Sequence, residues 1–365
     1  MTEALKDIYS EQFLDDFCQQ IIEQDIKFEA KPFIQELLTK EWPALTVRQR
    51  MKKIAQLLGK FLSGTYEDHL PLLLALHQQN RGFAYLFFPD YIGIYGLAAK
   101  DFDLSLSYLK QMTAYSSSEF AIREFIAVEP ERVLKLLLTW SEDPDDHVRR
   151  LASEGCRPLL PWGSHLDYLI SRPELALPIL TNLKADPSLY VRKSVANHLN
   201  DMSKNHQKLV IDTCRHWYGK DERTDWIVKK ACRTLVKNAD PDALKLFGYE
   251  IPGQSFDVLS ASINMAEQQV TIGEKSHFSY SIATTISNQT PIRLEYGIDY
   301  VKANGKTSMK KFYLTDSLTS KDHFDGKKTI SFKNLSTRIH YPGEHSLTLF
   351  LNGQTIAQTS FSVIQ

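Results

Sequence analysis

Asp143-Pro144-Asp145-Asp146-His147-Val148-Arg149-Arg150-Leu151-Ala152-Ser153-Glu154-Gly155-Cys156-Arg157-Pro158, with Trp162 just beyond, is the stretch that organises this chain. Asp143 before Pro144 reads as an N-cap acid followed by proline at the first helical position, where no amide donor is lost. The helix it opens carries Arg149, Arg150 and Glu154, and Gly155 then suits a left-handed exit. The pattern returns 43 positions later as Asp186-Pro187-Ser188-Leu189-Tyr190-Val191-Arg192-Lys193. The echo keeps the Asp-Pro, the valine and the basic pair. It has Asn197 where the first copy has Glu154, and nothing in it matches the 157–162 exit.

Working outward, three helical hairpins are expected: 130–142 into 145–154, 174–184 into 188–199, and 205–217 into 225–237. Pairs with a period near 40 indicate a HEAT-like α-solenoid. Aligned at their valines, the second helices read Val148-Arg149-Arg150, Val191-Arg192-Lys193 and Val228-Lys229-Lys230. Stacking sets equivalent positions side by side, so Arg149, Arg192, Lys193, Lys229 and Lys230 are expected to form a positive stripe for DNA phosphates. Residues 184–237 hold 12 Lys+Arg and 6 Asp+Glu, a local +6 in a chain of net charge −1. A solvated helix face explains any single pair equally well.

Helical periodicity runs from the start to about residue 250. Ser116-x-x-Glu119 reads as a capping box, which by itself accounts for Glu119. Ile251-Pro252-Gly253 ends the helical pattern, and from 256 to 365 the character changes. Phe278, Tyr280 and Ile282 alternate with polar residues, as do Leu347, Leu349 and Leu351, and Asn304-Gly305 and Asn352-Gly353 are hairpin signals. The expected organisation is therefore a helical-repeat domain over 1–250 and an immunoglobulin-like β-sandwich over 256–365. The second domain contains no cysteine or tryptophan, so the antibody-type disulfide and its packing indole are excluded. Lys306, Lys310-Lys311 and Lys327-Lys328 lie near its turns, where a solubilising role and an anionic partner both fit.

The totals narrow the class. With 365 residues, 43% hydrophobic and 24% charged, the chain reads as folded and multidomain, not globally basic. No apolar run approaches a membrane span, and the first residues lack an apolar signal core. Cys18, Cys156, Cys214 and Cys232 are spread without a CxxC pair, which fits a reducing cytoplasm. No GxGxxG, P-loop, HExxH or GxSxG is present, and His147, His198, His206 and His216 lack metal-ligand spacing. No metal or cofactor is expected.

Glu154 is the residue that stability explains least. A carboxylate in the last helical turn opposes the helix dipole by about 0.3–1 kcal/mol, and an i,i+4 partner in Arg150 returns about 0.2–0.5 kcal/mol. Trp162 sits in Leu160-Pro161-Trp162-Gly163, where a core role and an aromatic face for a sugar or a cationic base both remain open. Trp226 fits core packing between hairpins.

Three segments carry a family resemblance: Ser117-Ser118-Glu119-Phe120-Ala121-Ile122-Arg123, the 147–158 stretch, and Val191-Arg192-Lys193-Ser194-Val195-Ala196-Asn197-His198-Leu199-Asn200-Asp201. They resemble the AlkC-type DNA alkylation-repair glycosylases, over nearly the whole chain including the β tail. The resemblance implies removal of cationic N3-alkylated bases, mainly 3-methyladenine and also 3-methylcytosine, from bent duplex DNA without full base flipping. It implies Glu119 and Glu154 as the acidic residues at the lesion, with Arg150, Phe120 and Trp162 beside them and Arg157 among the DNA contacts. The sandwich is expected to grip the DNA from the other side. Glu124 departs from the pattern, standing where proline is expected. The partner is then double-stranded DNA bearing alkylated bases, met in the cytoplasm at the nucleoid by a monomer. A non-enzymatic scaffold and an architectural DNA binder remain as alternatives from the residues alone.

Overall fold

The echo seen in the sequence is a structural repeat. The computed structural model describes residues 5–335 and 338–365 and divides into two compact units, one ending at Ala231 and one beginning at Cys232. Among the described residues the first unit carries α1 (Glu11–Ile22), α2 (Ala30–Leu37), α3 (Val47–Phe61), α4 (Tyr66–Gln79), α5 (Phe87–Tyr95), α6 (Phe102–Met112) and α7 (Ile122–Val128). It continues with α8 (Pro130–Trp140), α9 (Asp146–Glu154), α10 (Asp167–Ser171), α11 (Leu177–Leu183), α12 (Leu189–Met202), α13 (Gln207–Trp217) and α14 (Glu222–Ala231). The pairs α8/α9, α11/α12 and α13/α14 are the three hairpins, and α9, α12 and α14 lie side by side. Val148, Val191 and Val228 are all buried, and each contributes about 1.5–3 kcal/mol of apolar burial. That is why the valine is the fixed point of the repeat.

Local geometry corrects three expectations. The Asp-Pro acid is not the cap. Asp145 caps α9 by accepting from the His147 amide at 2.8 Å, while Asp143 accepts from the Asp145 amide at 2.9 Å, one turn of chain earlier. Asp186 does the same for the Ser188 amide at 2.8 Å, ahead of α12. Gly155 is not left-handed: its φ is −63°, and glycine is needed there because a Cβ would come within 2.6 Å of Ile122 Cγ2. The left-handed residue of the exit is Trp162, with φ +64°. Finally, the expected 225–237 helix ends at Ala231, and α15 (Arg233–Lys237) and α16 (Pro241–Leu246) belong to the second unit.

In the second unit the sandwich is built from β1 (Val258–Met265), β2 (Gln269–Thr271), β3 (Lys275–Thr284), β4 (Thr290–Val301), β5 (Thr307–Thr319), β6 (His323–Ser331), β7 (Gly343–Leu351) and β8 (Gln354–Ile364). One sheet has the order β1-β3-β6 and the other β2-β8-β7-β4-β5. Alternate residues face inward, so Phe278, Ile282, Ile292, Leu294, Ile298, Leu347, Leu349 and Leu351 share one core. The Phe278 and Tyr296 rings, 4.8 Å apart, pack in that core. Asn352 and Gly353, at φ +45° and +82°, form the β7–β8 hairpin turn expected from their sequence. Asn352 is buried and does more than turn the chain: its amide group donates to Glu250 O at 2.8 Å and accepts from the Arg293 amide at 2.7 Å.

Candidate active site

Glu119 reaches the site because it is not a helix cap. α7 starts only at Ile122, with Ala121 before it and no side-chain cap. Ser118 Oγ turns away to donate to Leu109 O at 2.7 Å, and Ser117 Oγ donates to Glu119 Oε2 at 2.9 Å. The expected Ser116–Glu119 capping box is therefore absent, and the Glu119 carboxylate pairs with the Arg150 guanidinium instead. Arg150 Nη1 also donates to Ser117 Oγ at 2.8 Å.

α9 turns Val148, Leu151 and Ala152 into the core and sets Arg150 and Glu154 one turn apart. Arg150 Nη2 stands 3.4 Å from Glu154 Oε1, but the nearer partner is Arg157, whose Nη1 donates across 2.6 Å. Arg157 then reaches Asp201 Oδ2 through Nε at 2.8 Å and Nη2 at 2.7 Å. Lys204 closes the series at the surface, 3.1 Å from Asp201 Oδ1. Glu119, Arg150, Glu154, Arg157 and Asp201 thus alternate in sign, and three carboxylates against two guanidinium groups give −1 before Lys204 is counted.

The electrostatics keep this network ionised. Burial pushes the Glu154 carboxyl up, but Arg150, Arg157 and hydrogen bonds from Ser194 and Arg157 outweigh it and hold the group below the usual carboxylate range. Burial likewise works against the Arg150 charge, and Glu119 and Glu154 more than restore it. The Arg150 guanidinium lies 4.9 Å over the Tyr190 ring, a cation–π contact on the open side.

Glu119, Arg150, Glu154 and Arg157 line a cleft of about 420 Å³ with Phe83, Trp162 and Tyr190. Trp162 is 63% exposed, so it is not a core indole; its ring meets Phe83 edge-on at 5.9 Å. Phe120 lines the same cleft, but one face of its ring is taken by Arg48, whose guanidinium lies 4.0 Å from the centroid. The structure therefore brings together Glu119, Glu154, Arg150, Phe120 and Trp162.

The residues assigned to phosphates behave differently from one another. Arg149 Nη1 folds back on the carbonyls of Asp143 and Pro144, and its Nε pairs with Asp186 at 2.7 Å. Arg192 Nη1 binds the carbonyls of Asp186 and Pro187 in the same way, at 2.7 and 2.9 Å. Arg149 thereby clamps one repeat to the next, Arg192 braces the turn that leads into its own helix, and Arg157 is buried between Glu154 and Asp201. Lys193, Lys229 and Lys230 are exposed. Trp226 is partly exposed, with Arg192 and Lys230 about 6 Å from its ring, so it packs beside the basic face more than inside the core. Among the described residues Asp145, Asp146 and His147 group their side chains at the start of α9, but Asp145 is the helix cap and Asp146 accepts from Ser188 Oγ at 2.6 Å.

Sequence reasoning gave no role to Asp201, Tyr190, Phe83 or Arg123. Asp201 and Arg123 stand in segments that carry the family resemblance and Tyr190 in the 186–193 echo, but the partners that give each its role lie on other elements of the chain.

Comparison with known proteins gives the chain a family. Residues 97–235 match the family model of the DNA alkylation repair enzyme, and residues 260–365 match the C-terminal Ig-like domain of the uncharacterised protein YhaZ. The YhaZ protein of Bacillus subtilis (strain 168) is 39% identical over 360 residues, covering 98% of this chain and 99% of its own. The Pseudomonas fluorescens alkylpurine DNA glycosylase AlkC, in its structure with DNA containing an abasic site analogue, superposes with a TM-score of 0.92 at 35% identity, covering all of both chains. This chain belongs to the AlkC-type DNA alkylation-repair family.

Proposed function

We propose that the protein is a DNA glycosylase that excises cationic N3-alkylated bases, 3-methyladenine and 3-methylcytosine, from duplex DNA. The observation that carries this reading is the pair Glu119 and Glu154 on either side of Arg150, in a cleft edged by an exposed indole. An N3-alkylated base already bears positive charge, so it leaves with the electron pair of its N-glycosidic bond without a general acid. The sugar left behind is oxocarbenium-like, and ionised carboxylates with an indole face favour that charge. Water then adds its oxygen to C1′, and its proton passes to a carboxylate. Arg150 and Ser117 both engage Glu119 Oε2, which makes Oε1 the acceptor for that proton. Glu154, held by two guanidinium groups, acts as fixed negative charge.

A lesion whose glycosidic bond is already this labile can be attacked while still largely within the duplex. That differs from the full extrusion general to base-modifying enzymes. The exposed lysines Lys193, Lys229 and Lys230 serve the phosphate track, and the sandwich holds the duplex as well. The protein works as a monomer at the nucleoid, without cofactor or metal.

The test is incubation with N3-methylated duplex DNA followed by analysis for free base and abasic sites. Release of 3-methyladenine is the expected result. Binding without release identifies an architectural protein, and neither binding nor release identifies a scaffold for another partner.

A further inference from the structure

Arg123 lies outside the carboxylate–arginine network yet touches the segments that build the cleft. It projects from α7 and is 1% exposed. Its donors go to main-chain carbonyls: Nη1 to Gly155 O at 3.0 Å and Arg157 O at 2.7 Å, and Nε to Ser164 O at 3.0 Å, with Nη2 adding a second bond to Ser164 O. One planar group therefore binds the chain both before and after Trp162. Between those anchors the Trp162 backbone is left-handed, a conformation that bulky residues keep only where the surroundings enforce it. Gly163 completes the fit: a Cβ there would stand 3.2 Å from Arg123 Nε.

We propose that Arg123 is a positioning residue for base release: it holds the 155–164 exit in the one path that presents the Trp162 indole at the cleft. This rests on the glycosylase reading. Being buried, Arg123 acts through Trp162 and the end of α9, not on DNA. The role needs arginine, because a guanidinium sends several N–H groups in fixed directions from one plane. A lysine ammonium is a single point that does not span carbonyls on both sides of the loop.

The experiment uses the full chain carrying 5-fluorotryptophan, whose ¹⁹F spectrum reports Trp42, Trp140, Trp162, Trp217 and Trp226, with the Trp162 line assigned from Trp162→Phe. Arg123→Lys and Gly163→Ala are compared with the parent for the spectrum, duplex Kd and single-turnover base release. Gly163→Ala keeps the test open should Arg123→Lys fail to fold, since it disturbs the same contact by only a few tenths of an ångström.

The expected result is a moved or broadened Trp162 line with the other four in place, release slowed by about 10²-fold, and duplex Kd unchanged. In a Trp162→Phe background, Arg123→Lys should slow release by less than it does alone, because the two act as a unit. An unmoved Trp162 line, or full additivity with Trp162→Phe, overturns the proposal. Failure of the glycosylase reading shows separately, as a parent protein that releases no base while its ¹⁹F spectrum still responds to Arg123→Lys.

Discussion

Arg157 donates to Glu154 Oε1 across 2.6 Å, nearer than Arg150 at 3.4 Å, and the same guanidinium is shared with Asp201. The i,i+4 pair visible in the sequence is thus the weaker half of the clamp. Both partners are buried, so removing one leaves an uncompensated charge. Arg157→Ala is expected to lower stability by about 3–5 kcal/mol, measured by urea unfolding. A fully stable variant with weaker DNA binding would instead restore Arg157 to the phosphate contacts.

The basic stripe divides into arginines tied to the Asp-Pro turns and exposed lysines. Lys193→Ala and Lys229→Ala should each reduce the slope of log K against log salt for duplex binding by about 0.9. Arg149→Ala should leave that slope unchanged and lower the melting temperature, because Arg149 pairs with Asp186 and with two carbonyls of its own turn. A salt titration across these variants checks the division.

The site has two separable pH signatures. His198 is buried beneath α9, its Nδ1 bonded to Ser153 O at 2.9 Å, and burial lowers its pKa to about 4. The unfolded chain binds the proton first, so stability from the neutral ring is full above the ordinary value of 6.5 and is lost as pH falls toward about 4. His77, lowered by burial to about 3, adds a loss of the same sign. His198→Gln should therefore flatten, without abolishing, the decline of stability from pH 6.5 to 4. The lowered Glu154 carboxyl contributes stability above its unfolded value, lost as pH falls through the folded one. The stability gap between parent and Glu154→Gln should accordingly close only in the acid range below ordinary carboxylate titration, as read by unfolding at stepped pH.

Trp162 carries backbone strain at an exposed position. Trp162→Gly relieves about 1–2 kcal/mol of left-handed strain and gives back about 0.5–1 kcal/mol in chain entropy. The lost edge contact with Phe83 offsets some of the remainder. A small rise in stability together with a large loss of base release is expected. A loss of stability would mean that the indole serves the core.

Periodicity carried the architecture well, because valines at a fixed register and Asn-Gly turns act locally. The repeat also pointed to Glu154 by omission, since Asn197 occupies its place in the echo. Local rules failed where a distant group decides. Gly155 was the natural left-handed residue, but Ile122 needs the space there, and Arg123 enforces the unusual φ at Trp162 instead. Glu119 had a plausible cap nearby, while its partner Arg150 lies on another helix. Arg149 and Arg192 shared a register that suggested a phosphate track, yet a guanidinium reaches back to its own Asp-Pro turn as a lysine does not.

The most direct measurement is single-turnover release of 3-methyladenine from a duplex bearing one lesion, by the parent protein and by Glu119→Gln and Glu154→Gln, with folding and duplex Kd checked for each. The carboxylate pair predicts release by the parent and a loss of about 10²-fold or more in each variant with binding retained. Full activity in both variants, or no release by the folded, DNA-bound parent, would contradict it.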